Sequence, residues 1–193
     1  MLVAQAFYAS RLFQDKNLNE EQIDCIYHHL VQEKENIVLI GMPSSGKTTI
    51  GSMLAKRLHK EFIDTDELIK SRIQMEISEY FSKFGENSFR IVESQVIEEV
   101  SKRTNLVIAT GGGVILKEVN IENLKENGKI VLLNRSLDNL IATSDRPLTA
   151  TKEKLETCYL ERKLLYKKFC DIVIDNNHDL TNAVDEIIER MKI

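Results

Sequence analysis

A chain of 193 residues has the length of one domain with an appendage, since domains average roughly 150 residues. A net charge of −4 argues against a nucleic-acid binder, and 42% apolar content argues against a disordered chain. The longest apolar run, Ile37–Met42 with Gly41 counted, falls far short of the roughly 20 residues of a membrane span, and MLVAQAFYASRLF reads as neither a secretory signal nor a transit peptide. Neither nucleic acid nor membrane is therefore an expected partner. The three cysteines (Cys25, Cys158, Cys170) have no metal-ligand spacing and read as reduced thiols, so the expected location is the cytoplasm.

Residues 1–35 carry three basic and six acidic side chains, which sets them apart from the nearly neutral remainder. They read as a helical extension of two helices. In the second, Ile23, Ile26, Tyr27, Leu30 and Val31 recur at helical spacing and share one face. Leu18, Asn19 and Gln22 mark its start as staple, cap and third helical position. Gln32–Glu35 reads as a solvated connection. From Asn36 to the end the pattern is strand, helix, strand, helix. The apolar runs Ile37–Ile40, Phe62–Ile63, Leu106–Ala109, Ile130–Leu133 and Ile172–Ile174 suit strands buried on both faces. Helical patterns fill the gaps, ending in Leu180, Ala183, Val184, Ile187, Ile188 and Met191. Five such strands alternating with helices predict an α/β domain over 36–193 with a parallel sheet, and ligands in such folds lie at the carboxyl ends of the strands.

Gly41-Met42-Pro43-Ser44-Ser45-Gly46-Lys47-Thr48-Thr49 follows the first strand and matches the phosphate-binding loop G-x-x-x-x-G-K-[ST]. Its glycines let the backbone curl so that successive N–H groups face phosphate, and the following helix, 47–58, adds the positive end of its dipole. Lys47 supplies a point charge for the outer phosphates and Thr48 a hydroxyl for Mg²⁺. A plain strand-to-helix turn is the alternative. After the second strand stands Asp64-Thr65-Asp66. On an extended segment residues i and i+2 point the same way, so both carboxylates are expected to face the loop, one for magnesium and one to accept a proton. The alternative is that Asp66 only caps a helix over 67–71. After the third strand, Gly111-Gly112-Gly113 exposes backbone and leaves room for a ligand, or else forms a tight turn.

Only nine arginines stand against seventeen lysines, and arginine grips carboxylate and phosphate bidentately. Arg90 precedes Glu93 by three residues, close enough on a helix to be oriented by it. Arg146 lies in Ser-Asp-Arg-Pro-Leu-Thr (144–149) and Arg162 in Glu-Arg-Lys-Leu-Leu-Tyr (161–166). The default for any one of them is a solvated surface side chain. The histidines His28, His29, His59 and His178 have no metal-site spacing and read as structural or solvated.

Taken in order, Gly41–Thr49, Phe-Ile-Asp-Thr-Asp (62–66), Phe-Gly-Glu-x-x-Phe-Arg (84–90), Ala-Thr-Gly-Gly-Gly (109–113), Arg-Pro-Leu (146–148) and Arg-x-x-x-Tyr (162–166) resemble shikimate kinase. The resemblance covers about 36–193. It implies a three-layer α/β/α P-loop kinase of the nucleoside-monophosphate-kinase type with a lid. That family carries ATP-dependent phosphorylation of the 3-hydroxyl of shikimate, with Mg²⁺, in aromatic amino-acid biosynthesis. By the resemblance, Ser44, Ser45, Gly46, Lys47, Thr48 and Thr49 bind ATP, and Arg146 closes over it from the lid. Arg90 and Arg162 grip the shikimate carboxylate, Asp66 holds ring hydroxyls and serves as base, and Gly111, Gly112 and Gly113 touch substrate through the main chain. Thr48 and Asp64 hold Mg²⁺. Lys47, Asp66 and Arg146 are the expected catalytic group. Ser44 stands where the family usually carries a further glycine, and the stretches Asp138–Asp145 and Arg146–Arg162 are short.

Met-Leu-Val-Ala-Gln-Ala with Phe7 resembles the C-terminal helix of shikimate dehydrogenase. This implies kinship with a fused dehydrogenase–kinase and predicts no NADP chemistry, because the dehydrogenase's nucleotide domain is absent. An amphipathic helix pair that simply packs is the alternative. The expected state is a monomer, with residues 1–35 as the surface for any association. Two other functions compete with this one: a P-loop kinase for gluconate or a nucleotide, which leaves the arginine and glycine set without a purpose, and a catalytically silent nucleotide-binding module, which predicts losses at Lys47, Asp66 or the arginines that the sequence does not show.

Overall fold

The structure, a computed structural model, describes Gln5, residues 20–140 and residues 151–192. The chain divides into two units, Met1–Glu35 and Asn36–Ile193. In the first, helix α1 spans Glu20–Lys34. It includes the residues expected to form a connection, because Gln32, Glu33 and Lys34 are good helix formers. The bond from Glu35 N–H to the Val31 carbonyl (2.8 Å) closes its last turn. Ile26, Tyr27, Leu30 and Val31 are exposed along it. The predicted first helix and the cap and staple residues lie outside the described residues.

In the second unit five strands form one sheet: β1 (Asn36–Ile40), β2 (Glu61–Asp64), β3 (Leu106–Ala109), β4 (Gly128–Asn134) and β5 (Ile172–Asp175). All neighbours are parallel and the order is β2-β3-β1-β4-β5. The central strand β1 is wholly buried, and its side chains alternate between two cores as the pleat requires. Ile37 and Leu39 join Ile50, Leu54, Val184 and Ile187 on the face of α2 (Lys47–Leu58) and α7 (Leu180–Met191). Val38 and Ile40 join Val96, Ile97 and Leu155 on the other face. There lie α4 (Ile77–Ser101), α5 (Glu118–Glu126) and α6 (Lys152–Phe169), and α3 (Thr65–Ile73) follows β2. This is the predicted α/β/α architecture.

One local expectation is corrected. Asp64 and Asp66 do not share an extended segment. Asp64 is the N-cap of α3, its side chain accepting the Asp66 N–H at 3.0 Å, and Asp66 sits in the first helical turn. A capping aspartate so placed satisfies an orphan amide and favours the positive helix end, so the helix starts two residues earlier than the 67–71 reading and Asp66 is not its cap. Arg90 and Glu93 stand, as their spacing predicts, on one helix, the part of α4 that resumes after its break at Gly85 (φ 77°, ψ 169°).

Candidate active site

The carboxyl ends of β1, β2 and β3 open into one cavity of about 680 Å³, and Arg135 just past β4 joins its wall. The phosphate loop is held from two sides. A Cβ on Gly41 would stand 2.8 Å from the Leu133 carbonyl of β4, so only glycine lets the loop leave β1 this close to its neighbour. On the other side Asn176, which follows β5, donates from Nδ2 to the Ser45 carbonyl at 2.6 Å. Ser44 takes φ 62°, the left-handed region that glycine occupies at less cost, which gives a backbone reason for glycine at this position in related loops. The Lys47 ammonium is buried and folded back onto the loop, donating to the Gly41 (2.9 Å) and Met42 (2.8 Å) carbonyls.

Ser44, Gly46, Lys47, Thr48 and Thr49 line the cavity. Ser45, also expected to bind ATP, is fully buried beneath it, with its N–H given to the Met42 carbonyl (3.1 Å). Thr48 Oγ1 donates to Asp64 Oδ2 at 2.7 Å. One hydroxyl and one carboxylate facing the phosphate loop form an all-oxygen donor set that fits a hard cation such as Mg²⁺, which takes only one or two protein ligands beside phosphate and water.

The opposite wall carries the substrate candidates. Arg90 is buried between two acids, donating from Nη1 to Glu93 (2.8 Å) and from Nη2 and Nε to Glu86 (2.9 and 3.2 Å). Burial opposes its charge, but Glu93 and Glu86 outweigh that and hold its pKa above the ordinary guanidinium value. For Glu93 the balance falls the other way: burial raises its pKa, against the pull of Arg90. Arg162, also buried, donates from Nη1 to the Gly112 carbonyl at 3.1 Å. Tyr166, one turn on, donates to the same oxygen at 2.5 Å, and burial pushes its phenol far up, keeping the proton on.

The three glycines are needed for packing against these groups. A Cβ on Gly111 would meet Asp66 Oδ1 at 2.6 Å, one on Gly112 would meet Pro43 Cδ at 2.8 Å, and one on Gly113 would overlap the Arg90 guanidinium. Asp64, Asp66, Arg90, Gly111, Gly112, Gly113 and Arg162 therefore all meet at this cavity with the phosphate loop. Arg146 lies outside the described residues. Sequence reasoning gave no role to Tyr166, Asn176 or Arg135. The last two follow β5 and β4 directly, so the strand-end rule applied there would have found them. Tyr166 sits four residues after Arg162, on the same helical face.

The shikimate kinase family model matches residues 43–192. A shikimate kinase of Clostridium botulinum (strain Eklund 17B / Type B) is 43% identical over 158 residues, covering 80% of this chain and 95% of the relative. The structure of the Acinetobacter baumannii shikimate kinase in complex with shikimate superposes with a TM-score of 0.80 at 31% identity, covering 85% of this chain and 96% of that one. A gluconokinase from Sinorhizobium meliloti shares the fold alone, with a TM-score of 0.53 at 16% identity over 83% of this chain and 93% of that one. Sequence and fold agree, and the chain belongs to the shikimate kinase family.

Proposed function

We propose that the chain transfers the γ-phosphoryl group of ATP to the 3-hydroxyl of shikimate. The observation that carries this reading is the pair of buried arginines, Arg90 and Arg162, facing a phosphate loop across a single cavity. A small polyhydroxylated carboxylate needs cations for its carboxylate and an acceptor for its hydroxyls. Arg90 and Arg162 supply the first, Asp66 the second, and Gly111–Gly113 allow the ring to lie against backbone. Ser44, Gly46, Lys47, Thr48 and Thr49 hold the ATP phosphates, with Ser45 shaping the loop from beneath. Lys47 exchanges its loop carbonyls for the outer phosphates. Thr48 and Asp64 would hold Mg²⁺, which neutralises phosphate charge when bound.

In the reaction the substrate oxygen forms a bond to the γ-phosphorus while the bond from that phosphorus to the β–γ bridging oxygen breaks. ADP leaves with the electron pair and the hydroxyl proton passes to Asp66. Little else is asked of the protein beyond positioning and charge neutralisation. Arg146 is assigned to the lid, which excludes water that would otherwise compete for the phosphoryl group.

The reading treats residues 36–193 as the kinase domain and 1–35 as a helical extension related to the C-terminal helix of the dehydrogenase of the preceding step. The enzyme acts as a monomer on small molecules in the cytoplasm, where its ATP is supplied. The deciding experiment is ADP release from ATP and Mg²⁺ with shikimate, with gluconate, and with neither. Stimulation by shikimate alone is expected. Stimulation by gluconate, or by neither acid with ATP still bound, would reject the assignment.

A further inference from the structure

Arg135 stands directly after β4, one residue beyond Asn134 and two beyond Leu133, whose carbonyl lies against Gly41 of the phosphate loop. It lines the main cavity. It also lines a small hollow with Met42, Tyr159 and Tyr166. The arginine therefore reaches between the phosphate loop and α6. Its Nε is buried and has no acceptor, and among the described residues it is the one unpartnered buried side-chain atom that belongs to a cation. A buried donor on a permanent charge calls for an anion or an acceptor that arrives from elsewhere.

Which anion it meets follows from its neighbours. Pro43 of the phosphate loop is packed against Gly112 so closely that a Cβ there would clash, so the two loops meet at a seam. Tyr166 touches both sides of that seam, bonding to Gly112 and bordering the hollow with Arg135 and Met42. On the phosphotransfer reading above, a phosphoryl group passing from a nucleotide on the phosphate loop to an acceptor beside Gly111–Gly113 would cross this seam, while the loop's backbone N–H groups cradle the α- and β-phosphates.

We propose that Arg135 is a phosphoryl-binding residue fixed to the sheet, which contacts the γ-phosphate of ATP. It adds a stationary cation to the mobile Lys47 and does not wait for lid closure. The proposal rests on the phosphotransfer reading above, but its test does not need the acceptor.

Arg135→Ala and Arg135→Lys are compared with the wild type by calorimetric titration with ADP and with the non-hydrolysable β,γ-imido analogue of ATP, both with Mg²⁺ and without shikimate. For Arg135→Ala the analogue is expected to bind about tenfold or more weakly while ADP affinity holds, and kcat is expected to fall on the order of 10²-fold. Arg135→Lys is expected to fall between the two, and added guanidinium to restore part of the Arg135→Ala turnover. A purely structural arginine would weaken both nucleotides together and would not respond to guanidinium. Either that pattern, or unchanged affinity for both, overturns the proposal. Should the alanine variant fail to fold, Arg135→Lys alone decides through the same comparison of analogue with ADP. Failure of shikimate to stimulate the wild type would instead reject the acceptor, and the two failures are distinguishable.

Discussion

Arg90 shows how a binding residue becomes a structural one. Its guanidinium neutralises Glu93, which is 2% exposed, so removing it leaves a buried unpaired carboxylate. Arg90→Ala should therefore lose about 3–5 kcal/mol of stability as well as turnover. Arg90→Ala/Glu93→Gln should recover most of the stability by denaturant titration and none of the turnover, while ATP still binds. Full turnover in the double variant would remove Arg90 from the substrate site. Glu93 also gives the site a pH signature. Its folded-state pKa lies above the ordinary 4.5, so the folded protein binds more protons than the unfolded chain over the interval between them. Stability from this group falls as pH rises through that interval, and the loss is complete above the folded value. Glu93→Gln should remove this fall, so its stability relative to wild type should grow from pH 4.5 upward. Arg90 and Glu93 were legible as a pair from their spacing of three. Glu86, the second acid on Arg90, stands at the equally helical spacing of four, so the same pair rule reaches it once the helix is taken to resume at the residue after Gly85.

At the level of elements, the three-glycine loop and α6 work together. Arg162 and Tyr166 place two donors on one carbonyl, so the loop's position is set by a helix distant in sequence. Tyr166→Phe should lose about 1 kcal/mol of stability, the usual net worth of a hydrogen bond. It should raise the KM for shikimate more than it lowers kcat, because Arg162 still holds Gly112. An equal fall in kcat at constant KM would place Tyr166 in the chemical step instead. Strands were the most legible elements, since the inner strands of a parallel sheet covered on both faces leave continuous apolar runs, whereas the edge strands β2 and β5 are only partly buried and their apolar runs are shorter. The start of α3 was not. Asp64 can end a strand and cap a helix at once, and alternation along a strand cannot register the moment at which the backbone turns. The site survived that error because a capping residue and a first-turn residue both stand at the helix mouth, beside the phosphate loop.

On the scale of the whole chain, the Asn36–Ile193 unit has two cores of its own, one on each sheet face. A chain beginning at Asn36 should keep shikimate-dependent ADP release with unchanged kcat and KM. Loss of turnover on removing 1–35 would give the extension a part in the kinase. Asn36 must stay, because its side chain accepts from Leu106 N–H (2.9 Å) and donates to the Arg103 carbonyl (2.7 Å), tying β1 to β3. The boundary near 35 was visible in charge, and the motif order in 36–193 gave most of the site. What was hidden were long-range braces such as Asn176 on Ser45, whose two partners are separated by 131 positions. Strand order carries a last consequence. β1 is made first but lies between β3 and β4, and β2 reaches it only through β3. As the chain leaves the ribosome, the first strand has no partner until Leu106–Ala109 has emerged. The Gly41 turn has no wall until Leu133, and its brace comes only with Asn176. Nucleotide therefore cannot act as a template for the nascent chain, and the motif nearest the start of the kinase unit is among the last parts to become a working site.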